Sequence, residues 1–207
     1  MAIQAIIADL GGVLIHQAQQ AQQQDWEERS GISQRALFRL IDKAGLDREA
    51  TLGKISSAEV WKRIVEQTGW DEQALHELEK NFFEGEYLNR ELMDFLQGLR
   101  GRYRMAILSN AWSDVRMALE SKFKLSQYFD VQVFSCEVGL AKPDTRIYQL
   151  VLHRLKLQPD ETIFIDNNIM NVDAARVVGI PSIHYQGNEQ TIGEIKKALE
   201  KVGRNRV

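Results

Sequence analysis

Five short apolar runs, at residues 3–8, 105–108, 131–134, 162–165 and 182–185, constrain this chain more than any other feature. A strand with one wet face alternates apolar and polar residues. A run without alternation needs apolar cover on both faces, as in a parallel sheet lying under helices. Helical patterns separate most of the runs. Ile147, Leu150, Val151 and Leu155 fall at helix spacing behind Asp144, an N-cap residue type. A second pattern begins near Ser113 and carries Val115, Ala118 and Leu119. A third opens on Thr191 with Glu194 three residues on, the spacing of a capping box. Strand and helix in alternation predict an α/β fold with a doubly wound parallel sheet.

Residues 15–88 break the alternation. The segment shows no strand pattern and reads as helices. Ser56 and Glu59 form a capping-box pair ahead of Val60, Trp61, Ile64 and Val65, and Asp71 leads a pattern with Leu75, Leu78 and Phe82. A Gln-rich stretch at 17–24 opens the segment and Gly85 lies near its end, both suited to a hinge. The expectation is therefore a core of residues 1–14 and 89–207 with a small helical domain, 15–88, inserted after the first strand. Trp26 and Trp61 read as packing residues of that insert, and His16 as a hinge residue.

The whole chain has 207 residues, 44% hydrophobic and 27% charged, with a formal net charge of -3. It carries no basic stripe of the kind nucleic-acid binding needs, and the basic residues 204–206 read as a solvated chain end. The first apolar run lacks a basic flank and stops at Asp9, too short to span a bilayer. Cys136 stands alone, so no internal disulfide forms; a cytoplasmic protein without nucleic-acid or membrane partners is expected.

In an open parallel sheet, ligands bind beyond the carboxyl ends of the strands. Four polar groups stand just there. Asp9-Leu-Gly-Gly follows the first strand and Ser109-Asn110 the second. Lys142-Pro143 lies downstream of the third, and Asp166-Asn167-Asn168 follows the fourth. A carboxylate such as Asp9 can attack phosphorus or carbon and form a covalent intermediate that water splits. The Ser109 hydroxyl can hold phosphate oxygens, and Lys142 can neutralise charge on nucleophile and substrate. Asp166 can join Asp9 around Mg²⁺, a cation that takes oxygen ligands.

The motifs Asp9-Leu-Gly-Gly-Val-Leu14, Leu108-Ser-Asn110, Lys142-Pro143 and Phe164-Ile-Asp-Asn167 resemble, in order, the four signature motifs of haloacid dehalogenase-like hydrolases. The stretches 139–148 and 171–179 look especially like the subgroup of sugar-phosphate phosphatases and the phosphatase domain of epoxide hydrolases. The resemblance implies a catalytic set of Asp9, Ser109 and Lys142. It implies phosphate binding by Ser109, Asn110 and Lys142, and Mg²⁺ held by Asp9, the Gly11 carbonyl, Asp166 and Asn167. It also implies a helical cap that selects the substrate, a small phosphate ester. Two positions depart from the phosphatase pattern. Gly11 stands where a general acid–base aspartate is common, and Asn167 where a second metal-binding aspartate is usual. Two alternatives follow: a metal-independent 2-haloacid dehalogenase, or a catalytically weak binding or regulatory protein on the same fold.

Overall fold

The computed structural model describes residues 2–17, 34–69 and 86–203. In chain order its elements are β1 (Ala5–Ala8), β2 (Ile15–Gln17), α1 (Gln34–Lys43), α2 (Leu46–Thr51), α3 (Ser57–Thr68), β3 (Glu86–Leu88), α4 (Arg90–Leu99) and β4 (Arg104–Ser109). They continue with α5 (Val115–Phe123), β5 (Val131–Phe134), α6 (Ser135–Val138), α7 (Thr145–Leu155), β6 (Thr162–Asp166), α8 (Ile169–Val178), β7 (Ser182–His184) and α9 (Asn188–Gly203). The expected helix after Asp71, the Gln-rich stretch beyond Gln17, Trp26, Gly85 and the basic tail lie outside the described residues.

All five apolar runs become strands of one parallel sheet, ordered β5-β4-β1-β6-β7. The absence of alternation has its expected cause, because each strand packs on both faces. Ile6, Ala8, Met105, Ile107, Ile163 and Ile165 point into one core, against Leu92 and Leu96 of α4, Leu119 of α5 and Ile195 of α9. Ala5, Ile7, Ala106, Leu108 and Phe164 point into the other, against Ile147, Tyr148, Val151 and Leu155 of α7 and Ala175 of α8. The chain leaves β1 toward β4 and β5, then returns to the far side for β6 and β7. The order reverses at β1, and a crevice opens beyond the carboxyl end of that central strand.

Helices α1, α2 and α3 form their own apolar cluster around Leu37, Ile41, Leu46, Ala50, Val60 and Ile64. Ser56 caps α3 as expected, its hydroxyl accepting from the Glu59 amide, while the Glu59 carboxylate turns to Arg63. The expectation of a strand-free insert fails at both ends of the described segment. β2 and β3 pair antiparallel, with Ile15 opposite Leu88, His16 opposite Tyr87 and Gln17 opposite Glu86. Each is three residues long, too short for a period to register, and the pairing joins positions about seventy residues apart in sequence.

The last helix also begins earlier than its capping pattern predicts, at Asn188 and not at Thr191. The Asn188 amide donates to Glu91 and Asn89 and accepts from Asn89 and Tyr185. These partners lie across the fold and fix the start there, which leaves Thr191 buried inside the first turn.

Candidate active site

Asp9 leaves β1 with its amide donating to the Ile165 carbonyl at 2.9 Å, the last rung of the sheet. The chain then turns sharply, with the amides of Leu14 and Ile15 both donating to the Leu10 carbonyl. Gly12 has φ +75°, and a Cβ there would sit 2.2 Å from the Asn167 amide nitrogen. Glycine at 12 therefore lets the turn after the nucleophile and the turn after β6 close against each other.

The side chains of the first, third and fourth motifs meet in one buried cluster. Lys142 Nζ lies 2.8 Å from Asp9 Oδ1 and donates to Asp166 Oδ2 at 2.7 Å, with its side chain 1% exposed. Asp9 Oδ1 also accepts from the Leu10 amide at 2.8 Å. Asp9 Oδ2 accepts no hydrogen bond among the described residues, so one carboxylate oxygen is held and the other is open. Burial pushes the Asp9 carboxyl above its ordinary value and Asp166 adds to the rise, while Lys142 pulls against it.

Asp166 is fully buried and surrounded by donors. Its Oδ1 accepts from the Asn168 amide at 2.7 Å, and the Asn171 side chain donates to both oxygens at 3.2 and 3.0 Å. Asn171 is itself positioned by Tyr148, whose hydroxyl donates to the Asn171 carbonyl at 2.8 Å and whose ring packs edge-on against Phe164. Sequence reasoning did not place Asn171 or Tyr148 in the site. The available signal was position: Asn171 lies one helical turn beyond Asn168, the residue that caps α8.

The second motif serves the third. The Asn110 amide nitrogen donates to the Lys142 carbonyl at 2.9 Å, and the Asn110 oxygen accepts from the Lys142 amide at 2.8 Å. This pair holds the backbone on which the lysine is mounted, beside a cis Lys142–Pro143 peptide. The Ser135 hydroxyl, also absent from the expected set, accepts from the Ala111 amide and donates to its carbonyl. Ser109 is buried, and its hydroxyl makes only a 3.4 Å contact to the Asn110 carbonyl. That is longer than an ordinary O–H···O bond, so the hydroxyl retains its capacity to donate to a ligand.

The expected Mg²⁺ ligand set is all oxygen, as the cation needs, but carries only two carboxylates. Asp166 turns both carboxylate oxygens toward nitrogen donors, Lys142 among them. Among the described residues, no group of three or more His, Cys, Asp or Glu side chains could hold a metal. The expected donors are Asp9 Oδ2, the Gly11 carbonyl, an Asp166 oxygen and the Asn167 amide oxygen. They suit a Mg²⁺ that shares its shell with a substrate phosphate and water, not one caged by protein alone.

Two cavities flank this cluster. One, of about 640 Å³, is lined by Gly11, Gly12, His16, Glu86 and Tyr87 at the β2–β3 ribbon. His16, the expected hinge residue, lies between the rings of Tyr87 and Tyr185 there, at 5.8 and 6.1 Å. The other, of about 580 Å³, lies between the α2 segment and the Asn110–Lys142 wall. Trp112 sits beside it, with its indole donating to Asp47 and its ring edge-on to Trp61.

Residues 3–179 match the family model described as haloacid dehalogenase-like hydrolase. The chain is 33% identical over 115 residues to bifunctional epoxide hydrolase 2 of Rattus norvegicus, a match covering 53% of this chain and 21% of that protein. It thus spans about a fifth of that relative's length. It is 25% identical over 187 residues to D-ribitol-5-phosphate phosphatase of Bacteroides thetaiotaomicron, covering 86% and 89% of the two chains. Among solved structures it is similar to a HAD family enzyme from Bacteroides thetaiotaomicron, whose wild-type protein was crystallised with magnesium and inorganic phosphate. The TM-score is 0.72 at 26% identity, over 88% of this chain and 93% of that one.

Proposed function

The chain belongs to the haloacid dehalogenase-like hydrolases, and from that premise we propose that it hydrolyses the phosphate ester of a small metabolite through an aspartyl-phosphate on Asp9. The observation that carries this reading is the state of that carboxylate. It stands at the switch point of the sheet, one oxygen held by Lys142 and Leu10 and the other without a hydrogen bond among the described residues, at the end of the strand paired with the one that carries Ser109. The ribitol-phosphate phosphatase, matched over most of both chains, supports it.

Asp9 Oδ2 attacks phosphorus and the ester P–O bond breaks. Lys142 neutralises the nucleophile, and Ser109 donates to a phosphoryl oxygen. The leaving oxygen takes its proton from water, because Gly11 offers no side chain for the transfer; a positioned acid typically contributes about 10²–10⁴-fold. Water then attacks phosphorus and the bond to Asp9 breaks, releasing inorganic phosphate and restoring the carboxylate. Asp9, the Gly11 carbonyl, Asp166 and Asn167 would hold Mg²⁺, which would supply charge neutralisation on the phosphate. Residues 15–88 act as the cap over a core of 1–14 and 89–207, excluding water and selecting the ester. The single cysteine supports a reducing, cytoplasmic setting. No helix of the described residues is long and apolar enough to cross a membrane.

A second reading, metal-independent 2-haloacid dehalogenation, is favoured by one observation: neutral Gly11 and Asn167 stand where the phosphatase pattern carries aspartates. The Asp9 carboxylate would attack carbon instead of phosphorus.

The Asp9→Asn variant tests the proposed reaction. Lys142 keeps Asp166 at 2.7 Å, so no buried cation is stranded and the variant folds. Phosphate release from a panel of esters with Mg²⁺ should fall by about 10³-fold or more. Turnover near the unmodified rate would remove the nucleophile and both enzyme readings with it.

A further inference from the structure

The cavity of about 580 Å³ carries more charge than the phosphoryl site uses. Its charged side chains are Asp47, Arg48, Lys54, Lys142, Asp144 and Arg146. Lys142 is held by Asp9 and Asp166. Arg146 is paired with Asp144, and the Asp47 carboxylate accepts from the Trp112 indole. Arg48 and Lys54 are left exposed, without a carboxylate partner among the described residues.

The segment that bears them is anchored on both sides of each cation. Asp47, just before Arg48, is tied to Trp112 at 3.1 Å. Gly53, just before Lys54, rests so closely on the Cys136 carbonyl that a Cβ would lie 2.0 Å from its oxygen. Ser57 bonds Ser113 and Asp114. The backbone that carries these two unpaired cations is therefore held in place, across a cavity of small-molecule size from Asn110 and the Lys142 loop. A guanidinium presents a planar fork that matches two anionic oxygens, and an ammonium beside it adds a point charge.

Resting on the phosphatase reading and deepening it, we propose that Arg48 and Lys54 form a second anion subsite, so that the substrate is a small phosphate ester bearing another carboxylate or phosphate. The phosphoryl group to be transferred sits at Asp9, Ser109 and Lys142. The far end of the molecule reaches past Asn110 to the two cations.

The test is a specificity ratio measured on matched pairs: phosphoglycolate against ethyl phosphate for the carboxylate, and a hexose bisphosphate against a hexose monophosphate for the phosphate. The unmodified protein should favour the doubly anionic member of one pair by about tenfold or more in kcat/KM. The pair with the larger ratio identifies the anion. Arg48→Ala should shrink that ratio by about tenfold, the double Arg48→Ala, Lys54→Ala variant should abolish it, and Arg48→Lys should restore part of it. A merely structural lesion would lower both members together and leave the ratio intact. Ratios near one in both pairs, or a ratio that survives the double variant, overturn the subsite.

A binding arm reads the subsite without turnover. Calorimetry should show phosphonoacetate or methylenebisphosphonate binding more tightly than ethylphosphonate, with the difference lost in the double variant; equal binding of all three overturns the proposal. If no ester yields Asp9-dependent phosphate, the reaction fails while this arm still decides the subsite.

Discussion

A lysine buried between two carboxylates depends on whatever holds those carboxylates apart. Here Asn171 and the Asn168 amide hold Asp166 turned toward Lys142, and the Asn110 amide grips the backbone on either side of the lysine's Cα. Asn167 is then the residue on which the metal question turns. Its amide lies against Gly12, in the loop that carries Asp9. Asn167→Asp is nearly isosteric, adds one anionic oxygen beside Asp9 Oδ2, and should tighten Mg²⁺ on the order of tenfold by calorimetry. Phosphate release at limiting Mg²⁺ should rise; under the dehalogenase reading the added charge would oppose a carboxylate substrate, and activity on a 2-haloacid should fall. An unchanged Mg²⁺ affinity would place Asn167 outside the metal's reach. Asp9, Ser109, Lys142 and Asp166 were legible in the sequence because each follows a strand-like run at a sheet's ligand-binding edge. The contacts that hold Asp166 were not, because they depend on Asn171 and Tyr148, whose side chains arrive from two helices.

The elements were legible to the extent that their patterns are local. Uninterrupted apolar runs gave the five sheet strands to within a residue or two, and Asp144 caps α7 by accepting from the Arg146 amide as its residue type suggests. The β2–β3 ribbon was hidden because its partners lie far apart in sequence and its strands are too short to show a period. That ribbon carries a titration. Burial lifts the Glu86 carboxyl to about 7 while Lys122 pulls it down, and its Oε2 has no hydrogen-bond partner among the described residues. The unfolded chain ionises this group near 4.5, whereas the folded chain holds the proton to about 7. Unfolding between those values therefore releases a proton, and Glu86's contribution to stability, full below 4.5, is lost as the pH rises through about 7. Between pH about 5 and about 8 the melting temperature of Glu86→Gln should fall less than that of the unmodified protein, by about 2–4 °C after allowing for solvent screening. Parallel curves would mean that the carboxylate finds a partner when it ionises.

At the scale of the molecule, the α1–α3 unit meets the core through a few close contacts beside the cavity lined by Asp47, Arg48 and Lys54. Gly53 is the tightest of them, with φ +67° and the Cys136 carbonyl directly against it. Gly53→Ala should destabilise the protein by about 1–3 kcal/mol and raise KM, as the α2 segment is pushed off the core. Gly69→Ala is the control, because Gly69 has φ +66° and nothing within 4 Å of an added Cβ. It carries the conformational cost alone, and an equal effect on KM at both positions would deny the contact its role. The central position of β1 acts over the whole molecule in a different way. Ala5 pairs with Arg104 on one side and Thr162 on the other, so the strand that presents Asp9 is synthesised well before either neighbour exists. Until β4 arrives its amides and carbonyls have no ladder to join, and until β6 arrives its other edge stays open. The Asp9 carboxylate is thus made early and seated late, when β6 slots in beside β1 and delivers Asp166 to Lys142.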